Sequence, residues 1–398
     1  MEKRIYLDNA ATTKMSKTAI DAMTPYFDTV YGNPSSLHSA GQEAAEALAD
    51  ARERIARCIG ADAREITFTS GGSEADNQAI VSAAKNGEKK GKKHVISTAI
   101  EHHAVLHTLE KLRKEGFEIT LLPVGEKGIV TADQVKEAIR EDTCLVTVMF
   151  ANNEIGTIQP IKEIGAVCRA AGVPFHTDAV QAAGHLHIDV AEQNIDMLSI
   201  SAHKFHGPKG VGVLYAKKGI RLSNIIEGGA QERGKRAGTE NVPAIMGMAA
   251  ALEEMCAHID ENAAKLTAMR DRFIRELSKI PHSVLNGDAE RRLPGNVNFC
   301  FEGIEGESLL LLLDFRGVCA SSGSACTSGS LDPSHVLLAI GRPHEIAHGS
   351  LRLSLSEENT EEEVDYTVGA IGEVVGYLRG MSPVWRDLLD GKKEFITK

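Results

Sequence analysis

Short apolar and β-branched runs recur through the middle of the chain: "EITFTS", "HVISTA", "CLVTVMFA", "VPFHTDA", "DMLSIS" and "GVGVLYA". Segments with helical spacing stand before or between them, such as "GQEAAEALADARERIARCIG" and "TADQVKEAIRED". This alternation predicts an α/β domain with a mostly parallel central sheet. In such a sheet ligands gather beyond the carboxyl ends of the strands, so polar motifs that follow strands are the places to search. After residue 258 the pattern changes. A charged helical stretch, "ENAAKLTAMRDRFIRELSKI", precedes "PGNVNFCFEGI" and the apolar run "SLLLLLDF", which reads as a core helix. The expected organisation is a large domain over 16–258 and a smaller α+β domain formed by 259–398 together with 1–15. From Ser350 the chain alternates. Leu351, Leu353 and Leu355 face one way and Arg352, Ser354 and Ser356 the other, the pattern of a half-buried strand.

Composition removes several function classes. At 398 residues and 42% hydrophobic, the chain can bury a substantial core. A formal net charge of -11 argues against a basic nucleic-acid surface. The seven cysteines, at 58, 144, 168, 256, 300, 319 and 326, include no C-x-x-C pair. They read as the thiols of a reducing compartment, not as a disulfide framework. "MEKRIYLDNAATT" passes from charge into a strand-like run without the apolar core of a secretory signal. "SLLLLLDF" is too short to cross a bilayer. These features predict a cytoplasmic, soluble protein without a membrane partner.

Five motifs carry chemistry. In "FTSGGSEADNQAIVSAA" a strand gives way to Gly71, Gly72 and a helix starting near Ser73. A helix N-terminus with close backbone approach and a hydroxyl suits a phosphate, and an ordinary capped helix would look the same. "SISAHKFHGPKGVGVLYA" places Lys204 at a strand end among Ser201, His203 and His206. A crowded or desolvated lysine there can form a Schiff base, whereas a solvated turn lysine is the commoner use. "VPFHTDAVQAAG" puts Asp178 after a buried-looking strand, where it can pair with a protonated ring nitrogen, with Gln181 three residues on. "STAIEHHAVLHTL" brings His102 beyond another strand, where an imidazole can stack and relay protons. His103 and His107 are spaced i, i+4, but no third ligand follows, and the pair reads as incidental. "CASSGSACTSGSLDPSHVLLAIG" sets Cys326 among Ser, Gly and Thr, unlike cysteines 58, 144, 168, 256 and 300, which fall in periodic segments as packing residues.

Two signals mislead. "GAQERGKR" fits a P-loop spacing but has Arg236 where a Mg²⁺-binding hydroxyl is needed. "HEIAHGSLRLS" opens on the zinc-peptidase pattern H-E-x-x-H, yet Pro343 and Gly349 leave about one helical turn, and Leu351 stands where the extended motif needs Gly.

Taken in order, "YLDNAATT", "YGNPSSLH", "ANNEIGTIQP", "HTDAVQAAG", "SAHKFHGPKG", "ERGKRAGTEN", "SSGSACTSGS" and "HGSLRLSLS" resemble the pyridoxal-phosphate cysteine desulfurases of the NifS/IscS type, within the class V aminotransferase superfamily. The resemblance covers nearly the whole chain, and "SSGSACTSG" fits the branch with the longer catalytic loop. It implies the fold type I architecture of pyridoxal-phosphate transferases. It also implies roles. Lys204 would hold the cofactor, Asp178 would pair with its ring nitrogen, Gln181 would contact the ring oxygen, and His102 would stack and assist proton transfer. Gly72, Ser73, Ser201 and His203 would bind the phosphate; Ser73 replaces the Thr of many relatives and keeps the hydroxyl. Asn153 would touch cofactor and substrate, and Arg352 would clamp the substrate carboxylate. Thr239 would reach the cofactor phosphate of the other subunit in a homodimer. Cys326 would take the sulfur of L-cysteine as a persulfide and pass it to an acceptor such as an iron–sulfur scaffold, where it would ligate a cluster transiently; no intrinsic metal is expected. An aminotransferase or selenocysteine lyase would share the cofactor site but transamination has no need of Cys326. A non-enzymatic sulfur carrier leaves Lys204, Asp178 and His102 unexplained.

Overall fold

The computed structural model describes residues 4–322 and 333–397. Its strands, in chain order, are β1 (Ile5–Tyr6), β2 (Ile66–Thr69), β3 (His94–Thr98), β4 (Glu118–Leu122), β5 (Thr143–Thr147), β6 (Phe175–Asp178), β7 (Met197–Ser201), β8 (Gly212–Ala216), β9 (Ser283–Leu285), β10 (Asn296–Phe301), β11 (Val318–Cys319) and β12 (Ser350–Ser354). All six runs expected to be strands are strands, β2, β3 and β5 to β8. They read as near-continuous apolar runs because every residue in them is buried, as helix-covered sheets require.

One seven-stranded sheet runs in the order β2-β8-β7-β6-β5-β3-β4. β8 pairs antiparallel with both its neighbours, and the other pairings are parallel. β4 is absent from the predicted runs. It is an edge strand with one buried residue, so it lacks the uniform burial that marks the others. Helices Ser39–Cys58 and Ala132–Ala138 form where the spacing predicts them, the second started by a capping box between Thr131 and Gln134.

A second layer of structure holds β12-β10-β9 as an antiparallel sheet and β1 paired parallel with β11. Asp8 bridges to Ser354, so the beginning of the chain is stitched to strands more than three hundred residues away. A hydrophobic cluster unites these strands with helices Ile259–Leu277, Gly306–Phe315 and Glu361–Met381. The run "SLLLLLDF" buries Leu309 and Leu313 fully but leaves Leu311 and Phe315 largely exposed, so it is a one-faced helix and not a core helix. β12 departs from the alternation as well: all five residues are buried, because its polar face lies under the chain start and not in solvent. Among the described residues no single helix is long and apolar enough to cross a membrane.

Candidate active site

The parallel strands end on one edge of the sheet, and the predicted motifs follow those ends. A cavity of ≈ 260 Å³ there is lined by Gly72, Ser73, His102, Asn153, Asp178, Gln181, Ser201, His203, Lys204 and Arg352. Thr239 is exposed and does not line it. Cys326 lies outside the described residues.

The phosphate-suited turn is built by backbone constraints. Gly71 has φ of 150°, in the region that favours glycine, and caps helix Gly72–Glu88 without any side-chain hydrogen bond. A Cβ on Gly72 would stand 2.6 Å from Val180 Cγ2, so glycine is needed for the turn to approach β6. The first N–H groups of this seventeen-residue helix therefore remain for a ligand, at the end that carries roughly half a positive charge. An ordinary side-chain cap does not account for the motif. Ser201 closes β7 beside this turn, and His203 Nδ1 lies 3.1 Å from Thr12 Oγ1. Burial, helped by Lys204, pushes His203 down to about 4, so it is neutral at pH 7.

Lys204 ends a short 3₁₀ turn after β7. Its Nζ donates to the carbonyls of Ala10 and Ala11, each at 2.7 Å. Gln181 donates to Ala10 at 3.0 Å. The "DNAATT" segment thus supplies an acceptor shelf for the amine, a role that residue-type reasoning could not assign because the acceptors are backbone atoms. His102 caps helix His103–Lys114, its Nδ1 accepting from the Ala104 N–H at 3.1 Å. In its neutral form the ring proton therefore sits on Nε2.

Asp178 ends β6 and accepts from the Val180 N–H at 2.9 Å. Burial raises it, against the pull of His102, the Val180 N–H and Lys204. Two carboxyls absent from the sequence-based set interact with it: Asp76, which also lines the cavity, and Glu101. Asp76 is buried, its Oδ1 without a hydrogen bond and 3.7 Å from His176 Nε2, and burial together with the Asp178 charge holds it well above the carboxylate range. Burial pushes Glu101 up to about 8; it accepts from Thr98 Oγ1 at 2.7 Å and from the Met149 N–H at 3.0 Å. Three carboxyls this close cannot all ionise in a low-dielectric interior, so Asp178, beside His102 and Lys204, is the one placed to hold the charge. His176, also buried, bridges Thr147 and Ser199 and is pushed down to about 3.

Asn152 folds back on its own loop, accepting from the Glu154 and Ile155 N–H groups and donating to the Ile100 carbonyl at 2.9 Å. That turn presents Asn153, whose carbonyl accepts from Arg352 Nη1 at 3.1 Å. Arg352 is 1% exposed, pairs through Nη2 with Asp8 at 2.9 Å, and leaves Nε without a partner. The guanidinium is held by the chain start and still has a donor to offer.

His103 and His107 find the third imidazole that the local spacing lacks. The ring of His335 lies 4.7 Å from that of His103, which is 5.0 Å from His107. Even so, among the described residues no three His, Cys, Asp or Glu side chains are arranged to hold a metal ion. His344 opens and His348 caps a four-residue helix, the single turn expected between Pro343 and Gly349.

Known proteins resemble the chain over nearly its whole length. Residues 5–367 match the model of the aminotransferase class-V family. The chain is 54% identical over 397 residues to "Cysteine desulfurase IscS" of Clostridium botulinum, covering 99% of this chain and 100% of that protein. It is 54% identical over 382 residues to the protein of the same name from Methanosarcina thermophila, covering 96% and 94%. A solved structure described as a NifS-like protein superposes with a TM-score of 0.89 at 38% identity, over 94% of this chain and 100% of that one. Another, SspA in complex with cysteine, gives 0.79 at 39% identity, over 89% and 99%. With an ordered set of motifs, a shared fold and relatives matched end to end, the chain belongs to the class-V aminotransferase family and, within it, to the cysteine desulfurases.

Proposed function

We propose that this chain is a pyridoxal-phosphate-dependent cysteine desulfurase that converts L-cysteine to L-alanine and moves the sulfur onto Cys326 as a persulfide. The observation that carries this reading is the convergence of Lys204, Asp178, His102, Arg352 and the uncapped start of helix Gly72–Glu88 on one cavity. The residues fit the cofactor. A helix N-terminus flanked by Ser73, Ser201 and His203 suits its phosphate. A buried carboxyl that burial alone would protonate suits a cationic ring nitrogen opposite it. When bound, pyridoxal phosphate supplies an electron sink for negative charge at the substrate Cα.

The chain's own groups do the rest. Lys204 Nζ holds the cofactor and exchanges the Cα proton, the acceptor shelf at Ala10 and Ala11 fixing where it points. His102 would stack on the ring and assist proton transfer, and Gln181 would contact the ring oxygen. Arg352 and Asn153 orient the substrate carboxylate. Cys326, as thiolate, attacks the substrate sulfur: an S–S bond forms, the C–S bond breaks, and its electron pair stays with the substrate carbon. Cysteine and one thiol become alanine and one persulfide. A sulfur-acceptor protein such as an iron–sulfur scaffold then takes the sulfur, with Cys326 ligating the cluster transiently.

The same reading includes a cytoplasmic homodimer in which Thr239 serves the other subunit's cofactor. It includes the division into 16–258 and 1–15 with 259–398, supported by the pairing of β1 with β11. Lys204→Ala tests it: the purified variant is expected to lose the yellow absorbance of the lysine-bound cofactor. A variant with the same band as the parent would overturn the assignment.

A further inference from the structure

Six cysteines lie among the described residues. Burial pushes Cys144 and Cys300 to about 11 and Cys168 to about 12, which keeps them as inert thiols. Cys58 and Cys256 are placed differently. Both are partly buried and pack against the same hydrophobic cluster. Cys58 ends helix Ser39–Cys58, and Cys256 stands in the last turn of helix Val242–Ala257, which packs beside it. Ion pairs fix the register of the two helices: Arg54 Nη2 lies 2.7 Å from Glu253, and Arg57 Nη2 3.6 Å from it. Cys58 is four residues past Arg54, and Cys256 three residues past Glu253. Both steps stay on one helix face, so the two thiols stand beside each other one turn beyond the bridged pair.

We propose that Cys58 and Cys256 form a peroxide-oxidisable dithiol that closes to a disulfide joining the two helices. Cys58 is the attacking sulfur. Cys256 beside it holds its thiol below the ordinary cysteine value, with Arg57 and Arg54 adding to this, while Cys256 is pushed up. The Cys58 thiolate attacks one oxygen of a hydroperoxide; an S–O bond forms, the O–O bond breaks, and hydroxide or alkoxide leaves. Cys256 then attacks the Cys58 sulfenic sulfur, the S–S bond forms, and the S–O oxygen departs as water with the Cys256 proton. Two thiols lose two electrons, and hydrogen peroxide becomes two waters. This does not depend on the desulfurase reading.

The test treats the full-length enzyme with one equivalent of hydrogen peroxide, alkylates free thiols, and maps peptides without reductant. A cross-linked pair of peptides carrying Cys58 and Cys256 is expected, released by dithiothreitol, with alkylation at both positions largely lost. The same link is expected in Cys326→Ser, which has no loop thiol to exchange through. In Cys58→Ser the link is expected to be absent and Cys256 to be alkylated. Full alkylation of both cysteines after treatment, or a link that disappears in Cys326→Ser, would overturn the proposal.

Discussion

At the scale of single residues, Arg352 and Glu101 show what burial does to charge. Arg352 lies inside the protein with two of its nitrogens held by Asp8 and the Asn153 carbonyl. On the proposed reading a substrate carboxylate would exchange with or join Asp8, and a charged hydrogen bond of this kind contributes about 1.5–3 kcal/mol. Arg352→Ala is therefore expected to raise KM for cysteine roughly 10- to 100-fold while the cofactor stays bound, read by steady-state kinetics alongside the absorbance spectrum. An unchanged KM would count against the clamp. Glu101 makes a pH prediction. Its folded-state affinity for the proton is raised to about 8, so the unfolded chain ionises first as pH climbs out of the carboxylate range. Its contribution to stability is full below that range and is lost as pH rises toward 8. Glu101→Gln removes the titration. Its urea midpoint is expected to fall less than the parent's between pH 5 and pH 8; equal slopes would show that Glu101 does not titrate in this window. Lys204, Asp178, His102 and Arg352 were legible in the sequence because each follows or occupies a strand with a characteristic side chain. Asp76 and Glu101 were not, since nothing local distinguishes a buried acid in an amphipathic helix or a loop from a solvated one.

At the scale of elements, the false P-loop has a structural use. Glu232 in "GAQERGKR" is buried with φ of 50°, and its carboxylate accepts from both Arg52 nitrogens, at 2.7 and 2.8 Å, and from the Phe68 N–H at 2.9 Å. Arg52 in turn lies over the Phe68 ring at 4.3 Å. The segment is pinned to β2, just before the glycine turn of the site. Removing one member of such a pair leaves the other charge buried, at a cost of about 3–5 kcal/mol. Glu232→Ala is expected to lower the denaturation midpoint accordingly, and a loss under about 1 kcal/mol would place Arg52 in contact with water. Periodicity predicted the buried strands well because helices cover both sheet faces. It failed at β12, where alternation signalled a solvent face; instead Arg352 lines the cavity and Ser354 accepts from the Ala10 N–H of the chain start. It also failed for His335, whose ring reaches His103 from a helix more than two hundred residues on; such partnerships depend on tertiary packing that no local pattern encodes.

At the scale of the whole molecule, the site is made by three distant stretches: the strand ends of the large sheet, the first dozen residues, and β12. Thr239 is exposed and apart from the cavity of its own chain, which is consistent with service to a second subunit. Sedimentation equilibrium at micromolar concentration is expected to give twice the chain mass of 42.8 kDa. A monomer that turns over cysteine at the full rate would remove Thr239 from the account. The order of the motifs made the family legible, and the segment carrying Cys326 is read from its sequence. The most direct measurement of the central claim therefore addresses that residue. Incubated with L-cysteine and no acceptor, the enzyme is expected to form one alanine per subunit and to gain one sulfur atom on the Cys326 peptide by mass spectrometry, with neither product above background in Cys326→Ser. Alanine and sulfide formed by Cys326→Ser at the parent rate would contradict it.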